Sequence, residues 1–298
     1  MNVLVAGGTG FIGSRVVDEL LAKGGHQVKA LTRAPSRARP KQGVEYVRGD
    51  VSDAASLEAA TRGIDVVVHA VQFPNHPVEN PRKGWTYEQV DGEGTARMVA
   101  AAAKNGVTRF VYLSGAGVRP GRTEPWFRAK ARAEQAITSS GLEYVILRPS
   151  WIYGPDDRSM NKFVAFVKYL PVVPVIGSGQ ERVQALAVED VGKVAAAAVD
   201  EPAATNRAFE LGSLPPLSMD EIIHTIMRII GKQKPLIHQP AWLVKIPASI
   251  IQYLPNAPLS PGAIDFITMD ERVDPSAAEQ VFGIQFRSLE AGLREYLL

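Results

Sequence analysis

The chain has 298 residues, 46% apolar and 21% charged, which suits one large domain or two ordinary ones and excludes wholesale disorder. A formal charge of +2 excludes the strongly basic face of a nucleic-acid protein, so no nucleic-acid partner is expected. The absence of cysteine excludes disulfides, thiolate metal sites and a cysteine nucleophile; it fits a reducing compartment, and the cytoplasm is the expected location.

Asn2–Gly7 is an apolar strand that reaches a glycine motif at once, so no leader peptide and no metal site are expected. No stretch of 18 or more residues is apolar enough to span a bilayer, although contact with the inner-membrane surface or a protein complex remains open. Residues 11–24 form a helix with Ile12, Val16 and Leu20 on one face, stopped by Gly24-Gly25. Strands follow at 27–33, 44–50, 65–71, 109–115 and 143–150, with helices at 54–61, 93–106 and 125–139. This alternation predicts an α/β fold with a Rossmann-type doubly wound parallel sheet. It gives a dinucleotide-binding domain over 1–150 and a smaller C-terminal mixed substrate lobe over 151–298, with 183–200 returning to the sheet. In that lobe, 218–231 is a helix with a Ser218/Glu221 capping box and Gly231 as its stop.

Gly7, Gly10 and Gly13 stand at G-x-x-G-x-x-G between the first strand and the first helix. Such a loop lets backbone approach a pyrophosphate, and the helix N-terminus supplies free N–H groups and partial positive charge. Gly7, Gly8, Thr9, Gly10, Phe11, Ile12 and Gly13 are therefore cofactor candidates. The second strand ends in "LTRAPSR", with no carboxylate for a ribose diol. Arg33 there is placed to meet a 2′-phosphate, so NADP(H) is preferred over NAD(H). Asp50 and Val51 follow the third strand, at the adenine. Ala70 and Val71 end the fourth, at the crevice beyond the strand ends. His69 reads as a packed histidine, and His76 in the loop 72–85 as a minor acid candidate.

Together these residues resemble the short-chain dehydrogenase/reductase superfamily, in its extended and atypical branches. Gly7–Gly13 matches its glycine motif, Asp50-Val51 its adenine motif, Ser114 its active-site serine and Lys130 its lysine. "RPSWIYGP" (148–155) resembles the segment that borders the nicotinamide in nucleotide-sugar epimerases and dehydratases, which adds Pro149 and Ile152 to the cofactor candidates. Within the superfamily the chain is most similar to the branch that includes the NADPH-binding accessory subunit of respiratory complex I and its bacterial relatives; residues 158–192 carry that resemblance.

The resemblance implies a Ser-Tyr-Lys set in which the phenol moves a proton, the lysine lowers its pKa and holds the ribose, and the serine orients substrate. Here Trp126 stands in the tyrosine's place, one helical turn before Lys130. Indole donates one N–H, accepts nothing and does not ionise near neutral pH. Ser114, Lys130 and Tyr153 are the remaining catalytic candidates. Arg182 and Gln184 are expected near the substrate wall. Trp242, Leu243, Ile246, Ile250 and Ile251 can share a helical face, broken or kinked at Pro247, as a core cap or as a surface for a hydrophobic ligand, partner or lipid.

Three functions follow in order. The first is an atypical NADP(H)-dependent oxidoreductase acting on a small, hydrophobic or quinone-like ligand. The second is a non-catalytic NADP(H)-binding scaffold or redox sensor. The third is a nucleotide-sugar epimerase or dehydratase, disfavoured by Trp126 and by sparse basic charge in the second lobe. Oligomeric state is not readable.

Overall fold

In strand β1 (Asn2–Ala6), Val3 and Val5 bury on one face and Leu4 and Ala6 on the other. Burial on both faces marks an inner strand of a parallel sheet covered by helices on each side. The computed structural model shows that sheet and describes residues 1–74, 76–252 and 259–298, without the side chains of Ala263 and Phe266. The other central strands are β2 (Gln27–Thr32), β3 (Val44–Arg48), β4 (Val66–His69), β5 (Arg109–Leu113) and β6 (Glu143–Pro149). The sheet has seven parallel strands, ordered Arg207–Leu211, β6, β5, β4, β1, β2, β3.

The strand Arg207–Leu211 was not separated in the sequence. It is short, alternates exposed and buried residues only at its end, and lies on the edge. Helix α1 (Phe11–Lys23) packs on one face; α2 (Ala54–Ala60), α3 (Glu93–Lys104) and α4 (Pro125–Thr138) pack on the other. Asp53 caps α2 by accepting from the backbone N–H groups of Ala55 and Ser56. A π-helix, Tyr87–Gly92, precedes α3. Strand order reverses between β1 and β4, which opens a crevice at their carboxyl ends.

The second lobe has its own core around Val164, Val175, Ile222, Ile226 and Leu293, built by α5 (Met160–Tyr169), α7 (Met219–Ile230) and the C-terminal helix Leu289–Leu297. The Ser218/Glu221 capping box is present, with Gly231 left-handed at the other end of α7. Within 183–200, α6 (Val188–Ala197) lies against α1 through Val191, Val194 and Ala195. Helix α8 (Ala241–Ile251) runs through Pro247 instead of breaking there. A proline inside a helix forfeits one hydrogen bond, and here that loss does not end the helix. Residues 253–258 of the same apolar segment lie outside the described residues, as does Asn75 of the loop 72–85. Among the described residues no helix is long and apolar enough to cross a membrane.

Candidate functional site

The first loop is closed by backbone. Gly10 N–H donates to the Gly7 carbonyl at 2.8 Å, and Ser14 N–H donates to the Gly10 carbonyl at 2.9 Å. Gly7 has φ +84, and a Cβ there would sit 2.6 Å from the Ala70 carbonyl oxygen. A Cβ on Gly13 would meet the Gly7 oxygen at 2.1 Å. The helix therefore starts against the turn with no room for a side chain, and its first N–H groups face the crevice. These features fit a dinucleotide pyrophosphate: a backbone cradle and a helix N-terminus.

The crevice is one continuous cleft of about 2420 Å³. Gly7, Gly8, Thr9, Gly10, Phe11, Ile12, Arg33, Asp50, Val51, Ala70, Val71, Ser114, Trp126, Pro149 and Ile152 all line it. Gly13, Lys130 and Tyr153 do not. Arg33, Arg37, Arg39 and Lys41 crowd the rim beyond β2, and Lys41 pairs with Asp18. One oxygen of the Asp50 carboxylate accepts from Ser52 N–H at 2.9 Å and from the Ser52 hydroxyl at 2.8 Å.

Ser114, Trp126 and Lys130 gather around the end of β5, but the polar groups of Ser114 and Lys130 are engaged within the protein. Ser114 is on the cleft wall, but its hydroxyl donates to Glu134 at 2.6 Å. Arg148 clamps that carboxylate with two bonds, at 3.0 and 2.6 Å. Lys130 lies beneath the wall, 1% exposed. Its ammonium is 3.1 Å from Asp91, donates to the Leu113 carbonyl at 3.2 Å and sits 5.1 Å from the centre of the Tyr112 ring. Burial works against the ammonium, yet Tyr112 and Asp91 hold its proton above the usual lysine range. The π-helix delivers Asp91 to this spot, and the sequence offered no signal for it.

Trp126 fills the wall between these groups. Its indole lies so close to Gly115 that a Cβ there would meet the ring at 2.4 Å. Tyr153 is 1% exposed in the second lobe's core, where a Cβ on Gly292 would touch its phenol oxygen. Burial raises that phenol above the usual tyrosine range. His69 is packed as expected, with Nε2 3.1 Å from the Thr95 hydroxyl, and burial pushes its pKa down to about 3.

His76 lines the cleft, its ring 5.4 Å from Phe73 and 5.5 Å from Tyr87. Its Nε2 is buried without a hydrogen-bond partner. Burial, then the Lys130 charge, push His76 down to about 3, so it is neutral at pH 7. Arg182 and Gln184 do not line the cleft: Arg182 donates to the Pro216 carbonyl, and Gln184 exchanges two bonds with the Val273 backbone.

Toward the second lobe the cleft lining is mostly apolar: Phe163, Phe166, Pro174, Ile176, Val183, Met219, Ile251, Leu259, Ile267 and Met269 line this arm, with Lys162 and Glu271 among them. Sequence reasoning had only the apolar character of 239–267 to suggest it, because the lining comes from six separate segments.

Comparisons with known proteins agree with this geometry. The NAD(P)H-binding family model matches residues 7–202. The 2-alkyl-3-oxoalkanoate reductase of Stenotrophomonas maltophilia is 26% identical over 78% of this chain and 76% of its own. The NADH-ubiquinone oxidoreductase 40 kDa subunit of Neurospora crassa is 26% identical over 92% of this chain and 72% of its own. The solved UDP-glucose 4-epimerase of Thermus thermophilus, in complex with NAD, superposes with a TM-score of 0.76 at 22% identity, covering 99% of this chain and 97% of that one. That likeness concerns the fold.

Proposed function

The chain belongs to the NAD(P)H-binding family, in its atypical short-chain dehydrogenase/reductase branch, and we propose that it is an NADP(H)-dependent oxidoreductase for an apolar, quinone-like acceptor. The observation that carries this reading is the single cleft that joins the glycine cradle to an apolar arm past Trp126. Gly7 to Ile12 and the α1 N-terminus would hold the pyrophosphate, Arg33 the 2′-phosphate, and Pro149 and Ile152 the nicotinamide face. When bound, the reduced cofactor supplies a hydride.

The missing phenol narrows the acceptor. Hydride addition to a simple ketone leaves a strongly basic alkoxide, which needs a positioned acid. Hydride addition to a quinone leaves a phenolate-type anion, whose conjugate acid lies near pKa ~10 as tyrosine's does, and water can protonate it. Ser114, committed to Glu134, and Lys130, sealed against Asp91, offer little acid to the cleft. Trp126 and the arm beyond it offer a mostly apolar lining. The names of the two relatives, a 2-alkyl-3-oxoalkanoate reductase and an NADH-ubiquinone oxidoreductase subunit, support an apolar ligand.

The sealed lysine also supports a second reading, an NADP(H)-binding scaffold or redox sensor, in contact with a protein complex as the Neurospora subunit's name suggests for that protein. The test is NADPH titration followed by single-turnover hydride transfer to a soluble naphthoquinone and to an aliphatic ketone. Quinone turnover with no ketone turnover is expected. Tight NADPH binding without any turnover selects the second reading, and failure to bind NADPH or NADH sinks both.

A further inference from the structure

Helix α8 leaves an apolar face uncovered. Trp242, Leu243, Ile246 and Ile250 are 65%, 49%, 58% and 71% exposed. At 100° per residue these four side chains fall within an arc of about 100°, so they form one face. The opposite side is engaged: Ala248 is buried, and Ile251 lines the apolar arm of the cleft. The helix is thus a lip, with one side toward the cleft and the other toward solvent.

The segment that carries this lip is basic in sequence. Residues 231–264 contain Lys232, Lys234 and Lys245 and no aspartate or glutamate. Lys245 is paired with Asp265 of the next helix, and the Lys232 ammonium donates to the Lys168 carbonyl at 2.7 Å. Lys168 lies in the last turn of α5, and Lys234 stands just before the strand Leu236–Gln239 that leads to α8.

We propose that α8 docks this protein on an anionic lipid bilayer, with Trp242, Leu243, Ile246 and Ile250 in the interface and Lys232 and Lys234 beside the headgroups. The face joins a tryptophan to exposed aliphatic side chains, within a segment (231–264) whose only formal charges are lysines. That is the composition by which an interfacial helix enters the headgroup boundary. The inference deepens the reading of an apolar ligand, since such a ligand resides in the bilayer and Ile251 puts the cleft's apolar arm behind the same helix. Docking itself does not depend on turnover.

The experiment is co-sedimentation of the full chain with neutral phosphatidylcholine vesicles and with vesicles that also carry phosphatidylglycerol. Wild type is expected to sediment with the anionic vesicles only. Ile246→Asp/Ile250→Asp should weaken this partition roughly tenfold or more, because both side chains lose their apolar contact. Lys232→Glu/Lys234→Glu should weaken it and flatten its salt dependence. NADPH affinity and soluble-naphthoquinone turnover without vesicles should stay unchanged in both variants, which also shows that they fold. Failure of wild type to sediment with anionic vesicles, or undiminished partition in the isoleucine variant, overturns docking. Equal partition to neutral vesicles overturns the headgroup role of the lysines. Intact docking with no turnover on any quinone sinks the functional reading and leaves docking in place.

Discussion

Lys130 and Asp91 form an ion pair at 3.1 Å, shut away from solvent between α4 and the π-helix. A lysine that resembles the cofactor-holding lysine of its superfamily is therefore engaged inside the protein. Removing one member leaves the other as an unpaired buried charge, which costs about 3–5 kcal/mol. Lys130→Met should lower stability by that amount in urea unfolding, and adding Asp91→Leu should recover most of the loss. A Lys130→Met variant as stable as wild type would show that the pair contributes nothing.

Trp126→Tyr supplies the missing phenol without freeing Lys130. The variant is expected to leave naphthoquinone turnover within about threefold of wild type and to create no ketone reduction, because Lys130 stays paired with Asp91 beneath the wall and does not lower the new phenol's pKa. Ketone turnover that appears in this single variant would place Lys130 in reach of the cleft after all.

Arg33 is exposed on the cleft rim, with no carboxylate from β2 beside it. A charge-assisted bond to a 2′-phosphate contributes about 1.5–3 kcal/mol. Arg33→Ala should weaken NADPH binding by about tenfold to a hundredfold and leave NADH binding unchanged, as read by cofactor fluorescence. Equal losses for both nucleotides would refute a 2′-phosphate role.

Gly13 packs against the Gly7 carbonyl, where a methyl group would intrude to 2.1 Å. Gly13→Ala should displace the first turn of α1 and abolish NADPH binding at concentrations that saturate wild type. A circular dichroism melt separates this from global unfolding. Retained affinity would mean that the turn is not the pyrophosphate cradle.

His69 is held near pKa about 3 against 6.5 for a free histidine, mainly by burial. Between those values the unfolded chain binds the extra proton, so stability rises with pH across this window and falls as pH drops from about 6.5 toward 3. The slope is up to about 1.4 kcal/mol per pH unit for one histidine. Urea midpoints measured from pH 7 to pH 4.5 should show the decline, and His69→Gln should reduce its slope by about half, because His76 is held down in the same way. His76→Gln should remove a like share of the pH dependence and raise the KM for naphthoquinone, since the ring also stands on the cleft wall; a change confined to stability would assign His76 to packing alone.

Local chemistry was enough to settle several features from the sequence. The G-x-x-G-x-x-G spacing between a strand and a helix needs only backbone geometry, so the cradle could be located without tertiary contacts. Period-2 and period-3.6 patterns likewise yielded six of the sheet's strands and the capped α7, and the family resemblance placed Trp126 against Lys130. What the sequence left undetermined depends on which distant segments meet. Asp91 reaches Lys130 because a π-helix turns it inward, Ser114 turns to Glu134 because Arg148 anchors that carboxylate, and Tyr153 goes to the second lobe's core instead of the cleft. The exposed face of α8 was equally ambiguous, since an apolar helical pattern reads the same whether it caps a core or faces outward. Only the packing of neighbours on one side of a helix decides which side is left uncovered.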